Sequence, residues 1–441
     1  MQNPSSRPQS SSKSRPALVS CGVIGLAGLV LIGMWWTAAM KTPKVVIPKR
    51  VLPNPNAFDF YVKAGNAITG DTQIGNALST KPPTTFTLAQ KEALVQQNLG
   101  ALNTLHQGFA YPYVDPSARS ISTLFPYYAK FRSTARLLSL QSQVRAQKGD
   151  WGGAVDSDLD AVRLGEDVPH NAVLIGHLVG VACQAIGRKP IWASVEHLNA
   201  AQSRAAATRL ESIMTRHFSY ADTLQEEKYF GQAAMLEMFA DPKKARAALT
   251  QDMGTDPGAE QAGGSTAQSL TMFIYLAYSK NRIMHDYTAY MDKSSQIARQ
   301  PYALHLPPPP MPKDPFNNNL LPVFSQARLK EVDSQTQNGI LLVMLALRAF
   351  QQEHGHYPAA LTELAPTYLQ KLPNDPFAMQ GTYKYILKGN TYTLYSVGPD
   401  GKDDGGKPID DPRQANSGNQ NARYFVNPNS VGDIVAGKNI Y

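Results

Sequence analysis

The sequence predicts a mainly α-helical protein with a small α+β module at its C-terminal end. Three observations support this fold class. Apolar residues recur at helical spacing through most of residues 57–306. At 383–394, apolar and aromatic residues occupy alternate positions on both sides of a Gly-Asn pair. Clusters of proline interrupt the chain at 41–56 and 307–315. Helical spacing indicates amphipathic helices, strict alternation indicates strands, and proline marks the points where helices end.

The composition is that of a globular protein without a bias toward nucleic acid. The 441 residues include 17% charged side chains and carry a net charge of +8, and this length allows two or three domains. Basic residues gather on both sides of an apolar segment and form no stripe with aromatic residues, so we predict no nucleic-acid partner. Two cysteines, Cys21 and Cys183, are too few for a disulfide framework.

The N-terminal region predicts a membrane tether. Residues 1–16 are rich in Ser, Pro, Gln and Arg, which is typical of a disordered tail. Residues 17–40 contain no charge, and as a helix they would extend about 36 Å, more than the hydrocarbon core of about 30 Å. We therefore predict a single-pass transmembrane anchor that binds the chain to a membrane. A cleaved signal peptide and a buried helix are the alternatives.

A stalk and a helical domain follow the anchor. The four prolines within residues 41–56 predict a stiff stalk, and residues 57–306 predict a helical-hairpin or solenoid-like domain. The hairpin at 127–167 turns at Gly149, and the spacing of Gly149, Ala154 and Ala161 resembles one tetratricopeptide-type repeat. An ordinary helical hairpin is the alternative, because such arrays normally need at least three repeats.

The Pro-rich linker at 307–315 is the predicted main domain boundary, and residues 316–441 form the predicted C-terminal domain. A helix over about 322–354 ends at a Gly, a turn-rich connector follows, and a β-hairpin turns at Gly389-Asn390. The remaining residues predict an irregular tail.

Three short motifs occur in order along this domain: Gly-His-Tyr-Pro at 355–358, Leu-Pro-Asn-Asp-Pro at 372–376 and Tyr-Ser-Val-Gly-Pro-Asp-Gly-Lys at 395–402. In these motifs and their spacing, residues 325–411 resemble the globular head of the type II secretion major pseudopilin. The resemblance implies a pseudopilin-head-like fold and a place in secretion or envelope assembly. The chain lacks a prepilin-peptidase site before its apolar segment, so we do not expect it to polymerise as a pseudopilus subunit.

The anchor and the resemblance together predict the location of the protein. We expect a single-pass protein of the bacterial inner (cytoplasmic) membrane, with most of the chain extracytoplasmic. Protein partners would then be secretion or envelope components.

The same resemblance implies a calcium site, because in that family the acidic loop after the hairpin binds calcium. The matching residues are Asp400, Asp403 and Asp404, with Asp411 and Asp410 as further candidates. Calcium takes six to eight oxygen ligands, which closely spaced aspartates with intervening glycines can supply. A solvated acidic turn is the alternative.

No catalytic motif is present: the chain has no nucleophile elbow, phosphate-binding glycine loop, zinc-protease helix or dinucleotide fingerprint. We therefore predict a non-enzymatic interaction or scaffold protein. One alternative is an enzyme whose site in the helical domain brings together His177, Glu196 or Glu226 with other polar groups. The other is a purely structural spacer.

Overall fold

The fold is described here from a computed structural model, which places residues 41–79, 86–241, 279–314, 317, 321, 324–415 and 419–439. Within these residues the chain is mainly helical, with a small antiparallel sheet near the C-terminus, as the sequence predicts. The helices are α1 (Ala57–Ala67), α2 (Asp71–Ala77), α3 (Leu88–Gln97), α4 (Leu99–Gly108), α5 (Tyr127–Gln147), α6 (Trp151–Asp167), α7 (Leu174–Ser194), α8 (Ala200–Met214), α9 (Tyr220–Ala240), α10 (Lys280–Ala298) and α11 (Phe324–His354).

Helices α5 and α6 form the predicted hairpin. Gly149 turns the chain with a φ of +81°, a conformation that suits glycine, and the Asp150 carboxylate caps α6 by accepting a hydrogen bond from the Gly153 N–H at 2.9 Å. Helix α7 then packs closely against α6, because glycines face each other at the contact. A Cβ atom added at Gly165 would lie 2.5 Å from the carbonyl oxygen of Gly180.

Helix α7 is a core helix of the folded protein. It packs against α6 and α5, and it also contacts α11 from the C-terminal region. One hydrophobic cluster joins Leu159 and Ile191 of the helical domain to Leu341 of α11 and Leu394 of the sheet. Residues before and after the Pro-rich segment 307–315 therefore share one hydrophobic core. The role of this segment as a domain boundary stays a prediction.

The sheet consists of β1 (Lys384–Lys388), β2 (Thr391–Ser396) and β3 (Ile434–Val435), in that order and antiparallel. The turn between β1 and β2 lies at Gly389, whose φ is +58°, and Lys388 pairs with Thr391 across it. The hairpin thus forms where the sequence predicts it. The third strand was not predicted. It lies in the C-terminal region expected to be irregular, where Val435 pairs with Tyr395 of β2.

Residues 41–56 contain no helix or strand, and they lie against the helical domain. The Arg50 guanidinium donates to the Glu226 carboxylate of α9 at 2.9 Å and also to the Ser117 carbonyl. The Arg119 guanidinium reaches the same carboxylate at 2.8 Å and donates to the Pro48 carbonyl. Two arginines on one carboxylate thereby fasten this segment to α9.

The prediction of a membrane protein is corrected by the structure. Among the described residues, no helix combines the length and the apolar composition needed to cross a bilayer. Even α7, at 21 residues, carries Arg188 and Lys189, and Arg188 is buried within the protein. The expected tail and anchor, residues 1–16 and 17–40, lie outside the described residues. We therefore withdraw the assignment of a single-pass protein of the inner membrane.

Candidate functional site

The acidic loop after the hairpin is where calcium was expected. The Asp403 carboxylate accepts hydrogen bonds from the Tyr395 hydroxyl at 2.9 Å and the Gly405 N–H at 3.1 Å, and it lies 3.5 Å from Lys384 Nζ. These contacts lower the pKa of Asp403, with the Tyr395 hydrogen bond as the main cause. The Asp400 carboxylate accepts from the backbone N–H of Lys402 at 3.2 Å, within its own turn.

Two of the other acidic candidates, Asp410 and Asp411, are held by arginines, whereas Asp404 contacts Asp433 through its backbone N–H. The Asp411 carboxylate accepts from Arg413 Nε at 2.8 Å, and this hydrogen bond lowers the pKa of Asp411 to about 2. Asp410 is paired with Arg423 at 2.5 Å.

Two aspartates that the sequence analysis did not select are more deeply buried. Asp433 precedes β3, and its carboxylate accepts from the Gly406 N–H at 2.7 Å and the Asp404 N–H at 3.3 Å. Burial, with Asp403 and Asp404 nearby, raises the pKa of Asp433 to about 6. Asp375, in the Leu-Pro-Asn-Asp-Pro connector, accepts from the Ser396 hydroxyl at 2.7 Å and the Val397 N–H at 3.0 Å.

These contacts do not fit a calcium cage. Calcium needs six to eight oxygens that converge on one point. Asp411 is occupied by Arg413, and Asp433 binds the backbone of the acidic loop. Across the described ranges, no group of three or more acidic, histidine or cysteine side chains is placed to hold a metal ion. Calcium binding by Asp400, Asp403, Asp404 and Asp411 stays an untested prediction.

The three residues of the enzyme alternative do not converge. Glu226 is bound by Arg50 and Arg119 beside the N-terminal segment. Glu196 is exposed and lies 3.6 Å from Arg348 Nη1. His177 lies in a different buried polar cluster from Glu226, and its Nδ1 is 2.9 Å from the Thr223 hydroxyl. Burial lowers the pKa of His177, so the ring is favoured in its neutral form.

A cavity of about 610 Å³ lies near this cluster, between the helical domain and the C-terminal module. Its size lies within the range of about 300–1,000 Å³ that is usual for ligand sites. Four separate stretches of chain contribute to its walls: 217–221, 298–302, 328–335 and 374–381.

The inner wall of the cavity contains a charged histidine between two carboxylates. His217 Nε2 lies 3.1 Å from Glu331 Oε1, and His217 Nδ1 lies 3.4 Å from Glu166 Oε2. Burial alone would lower the pKa of His217, but the hydrogen bonds and charges of Glu166 and Glu331 outweigh burial and raise it to about 10. A histidine held in the protonated form at neutral pH is a poor general base, because it has no free lone pair to accept a proton.

An arginine and a tyrosine form a second part of the wall. The Arg328 guanidinium lies over the Tyr302 ring, with 5.3 Å from the guanidinium carbon to the ring centre. Its Nη2 donates to the carbonyl oxygen of Gln300 at 2.6 Å. Burial lowers the pKa of Arg328, while the charges of Tyr302 and Glu331 oppose that effect.

Behind the cavity, a buried arginine joins α7 to α11. Arg188 is 3% exposed, and its Nη1 donates to Asn338 Oδ1 at 2.8 Å and to the Ser334 hydroxyl at 3.3 Å. Gln184 completes the contact, since its side-chain oxygen accepts from Ser334 at 2.9 Å and from Asn338 at 3.0 Å. This buried polar network holds the C-terminal module against the helical domain.

The sequence does not predict this cavity, because only the Leu-Pro-Asn-Asp-Pro motif at 372–376 reaches its wall and that motif does not indicate what packs opposite it. Its residues are ordinary polar and aromatic types drawn from distant parts of the chain. The one available signal was the polar content of the otherwise apolar α7 and α11, where Gln184, Arg188 and Asn338 interrupt the apolar pattern. Buried polar side chains of this kind need partners, so they indicate a polar contact between elements.

In comparisons with known proteins, no family model, curated protein or solved structure matched the chain. No enzyme family is matched. The resemblances to the pseudopilin head and to tetratricopeptide-type hairpins therefore stay predictions.

Proposed function

We propose that this chain is a non-enzymatic binding and scaffold protein, whose helical domain and pseudopilin-head-like module act as one unit and bind a ligand in the cavity between them. The observation that carries the proposal is the cavity of about 610 Å³ lined by both parts. A ligand placed there would contact α9, α10 and α11 together with the connector at 374–381. Binding and the packing of the two parts would thus be coupled.

The contacts inside the cavity favour binding over catalysis. His217 is fixed between Glu166 and Glu331, and the Asp375 carboxylate is occupied by Ser396 and the backbone. General acid–base chemistry needs a group that can gain and lose a proton near the working pH. The enzyme alternative also loses support because His177, Glu196 and Glu226 lie in three different surroundings.

A thermal-shift experiment on the full chain tests this proposal. The probes are neutral trisaccharides, tripeptides, nucleoside monophosphates and dicarboxylates, each at millimolar concentration. Ala378 lines the cavity, so Ala378→Trp fills it, whereas Ala359 is exposed elsewhere and Ala359→Trp is the matched control. We expect at least one class to raise the melting temperature of the wild type and of Ala359→Trp, but not of Ala378→Trp.

Three results would contradict the proposal. If no class shifts the melting temperature of the wild type, the structural-spacer alternative is favoured. If a class shifts all three proteins equally, it binds somewhere other than the cavity. Chemical conversion of the bound probe during the experiment would instead favour the enzyme alternative.

A further inference from the structure

We infer that the protein has a second ligand site, which binds a nucleotide in a separate cavity of about 450 Å³ near the C-terminal end of α7. This cavity, the lysine cavity, is lined by Lys189 of α7 and by residues within 419–425 and 437–438, so it shares no residue with the cavity of the proposed function. Its volume lies within the usual range for small-molecule sites. Three properties carry the inference: two lysines without acidic partners, a preformed wall and an exposed aromatic ring.

The two lysines give the lysine cavity an unbalanced positive charge. Lys189 and Lys438 are exposed, and within the described part of the chain neither ammonium group has an ion pair. None of the described residues that line the cavity is acidic. Arg423, in the same stretch of chain, is already occupied, since its Nη2 donates to the Asp410 carboxylate at 2.8 Å. Cations that share one cavity repel each other until an anion binds between them, so the cavity favours a negatively charged ligand.

A phosphate group fits two ammonium groups better than a single carboxylate does. A phosphate monoester carries a charge of about −1.5 to −2 near pH 7 and three strong acceptor oxygens. It can therefore accept from both lysines at once, whereas a carboxylate carries one charge. Lysine binds phosphate as a compact point charge, without the fork geometry of arginine.

Buried hydrogen bonds hold the wall of the lysine cavity in place. Asn439 follows Lys438 and is fully buried, and its Nδ2 donates to the Tyr424 carbonyl at 3.0 Å and to the Ile409 carbonyl at 2.9 Å. Gln337 Nε2 of α11 donates to the Asn439 carbonyl at 2.6 Å. These bonds fix two parts of the wall to each other and to α11. A preformed site loses little conformational entropy when a ligand binds.

An exposed aromatic ring adds a flat apolar surface to the wall. Phe425 lines the lysine cavity, and 37% of this residue is exposed although it is apolar. Tyr424 precedes it and also lines the cavity, with the Arg423 guanidinium carbon 5.4 Å from its ring centre. Aromatic side chains stack on nucleobases, because every base has a flat π-face.

A carboxamide supplies the polar contact that suits the edge of a base. Asn421 lines the lysine cavity and is exposed, and its side chain makes no hydrogen bond to a described residue. A carboxamide both donates and accepts hydrogen bonds, and asparagine can pair in this way with the edge of adenine. Lysines for the phosphate, a ring for the base and a carboxamide for its edge together match a nucleotide rather than a simple anion.

Isothermal titration calorimetry of the full chain with adenosine 5′-monophosphate tests the inference. Lys189→Gln/Lys438→Gln removes both ammonium groups of the cavity. Lys371→Gln/Lys388→Gln, at exposed positions outside it, is the control with the same change of net charge. We expect the nucleotide to bind the wild type and the control alike. We expect it to bind the cavity variant more weakly by about ten-fold or more, because a charge-assisted contact is lost at each lysine.

A second variant separates the contribution of the base from that of the phosphate. Phe425→Leu keeps an apolar side chain but removes the ring. We expect adenosine 5′-monophosphate to bind this variant about five-fold more weakly than the wild type, because stacking on the ring is lost. Ribose 5-phosphate, which has no base, should bind Phe425→Leu and the wild type equally.

Three outcomes would overturn the inference. The first is that millimolar adenosine 5′-monophosphate gives no binding heat with the wild type. The second is equal affinity of the two lysine double variants, which would show that the nucleotide binds elsewhere or responds only to net charge. The third is that ribose 5-phosphate binds the wild type as tightly as the nucleotide does, which would show a simple anion site.

The lysine cavity and the cavity of the proposed function are tested separately. Ala378 lines only the latter, so a nucleotide in the lysine cavity would stabilise Ala378→Trp as much as the wild type. A shift by nucleoside monophosphates that is common to all three proteins of the thermal-shift experiment is then assigned to the lysine cavity. The other three probe classes test the proposed function, and either proposal can fail without the other.

Discussion

At the scale of single residues, the protonation of His217 is set by its two carboxylate neighbours. Glu166 and Glu331 raise the pKa of His217 to about 10, against an ordinary value of about 6.5. Because the pKa is raised in the folded state, the stabilisation from His217 is complete below about pH 6.5 and is lost as the pH rises through about 10. Over the physiological range the ring stays charged, which is why we assign it a structural role.

Ring nitrogen chemical shifts in NMR measure this state directly. We expect both ring nitrogens of His217 to remain protonated at pH 8, and Glu331→Gln to move the titration toward lower pH because one carboxylate is removed. A ring that titrates near pH 6.5 in the wild type would contradict the account and reopen the enzyme alternative.

Arg188 forms hydrogen bonds that join α7 to α11. Its guanidinium is buried and bonded to Ser334 and Asn338, and burial lowers the pKa of Arg188 to about 10. Arg188→Met would leave buried acceptors without donors, so we expect a loss of about 2–3 kcal/mol in the free energy of unfolding, measured by urea denaturation. Arg282→Met, at an exposed pair with Asp286, is the control and should leave the denaturation midpoint unchanged. Equal midpoints for the two variants would show that the buried network contributes little.

At the scale of elements, the period of the apolar residues located the helical hairpin, the long C-terminal helix and the β-hairpin, but it did not predict α2. The predicted hairpin at 127–167 is α5 and α6, the long helix at about 322–354 is α11, and Gly389-Asn390 forms the β-turn. The third strand was not predicted because Ile434–Val435 is only two residues long and has no alternating pattern. Its position depends on pairing with β2, which local sequence does not encode.

The close approach of α6 and α7 gives an element-scale prediction. A Cβ at Gly165 would lie 2.5 Å from the Gly180 carbonyl oxygen, whereas a Cβ at Gly100 of α4 would have no atom within 4 Å. We expect Gly165→Ala to lower the free energy of unfolding by about 1–3 kcal/mol through overpacking. Gly100→Ala should raise it by about 0.5–1 kcal/mol, because alanine favours helices. Melting curves of the two variants measure these changes in stability. Stabilisation by Gly165→Ala would contradict the close contact between α6 and α7.

At the scale of the whole molecule, the apolar patterns of the sequence do not show how the helices and the sheet pack together. Helical periodicity shows which face of α7 or α11 is apolar, and it does not show which element covers that face. One hydrophobic cluster joins Ile191 of α7 to Leu341 of α11 and Leu394 of β2, so the core is shared across the predicted domain boundary. The cavity arises from this packing, so it could not be foreseen from residues 217–221 or 374–381 alone. In the acidic loop, Asp403, Asp410 and Asp411 lie close in sequence, and their carboxylates bind separate partners, Tyr395, Arg423 and Arg413.

Differential scanning calorimetry of the full chain tests the central claim, that the helical domain and the C-terminal module are one cooperative unit with a binding cavity between them. We expect a single transition over the helical and sheet regions, with equal calorimetric and van't Hoff enthalpies, and we expect Arg188→Met to lower its temperature without splitting it. Two resolved transitions in the wild type, only one of which responds to Arg188→Met, would show that the two parts unfold independently and would contradict the account.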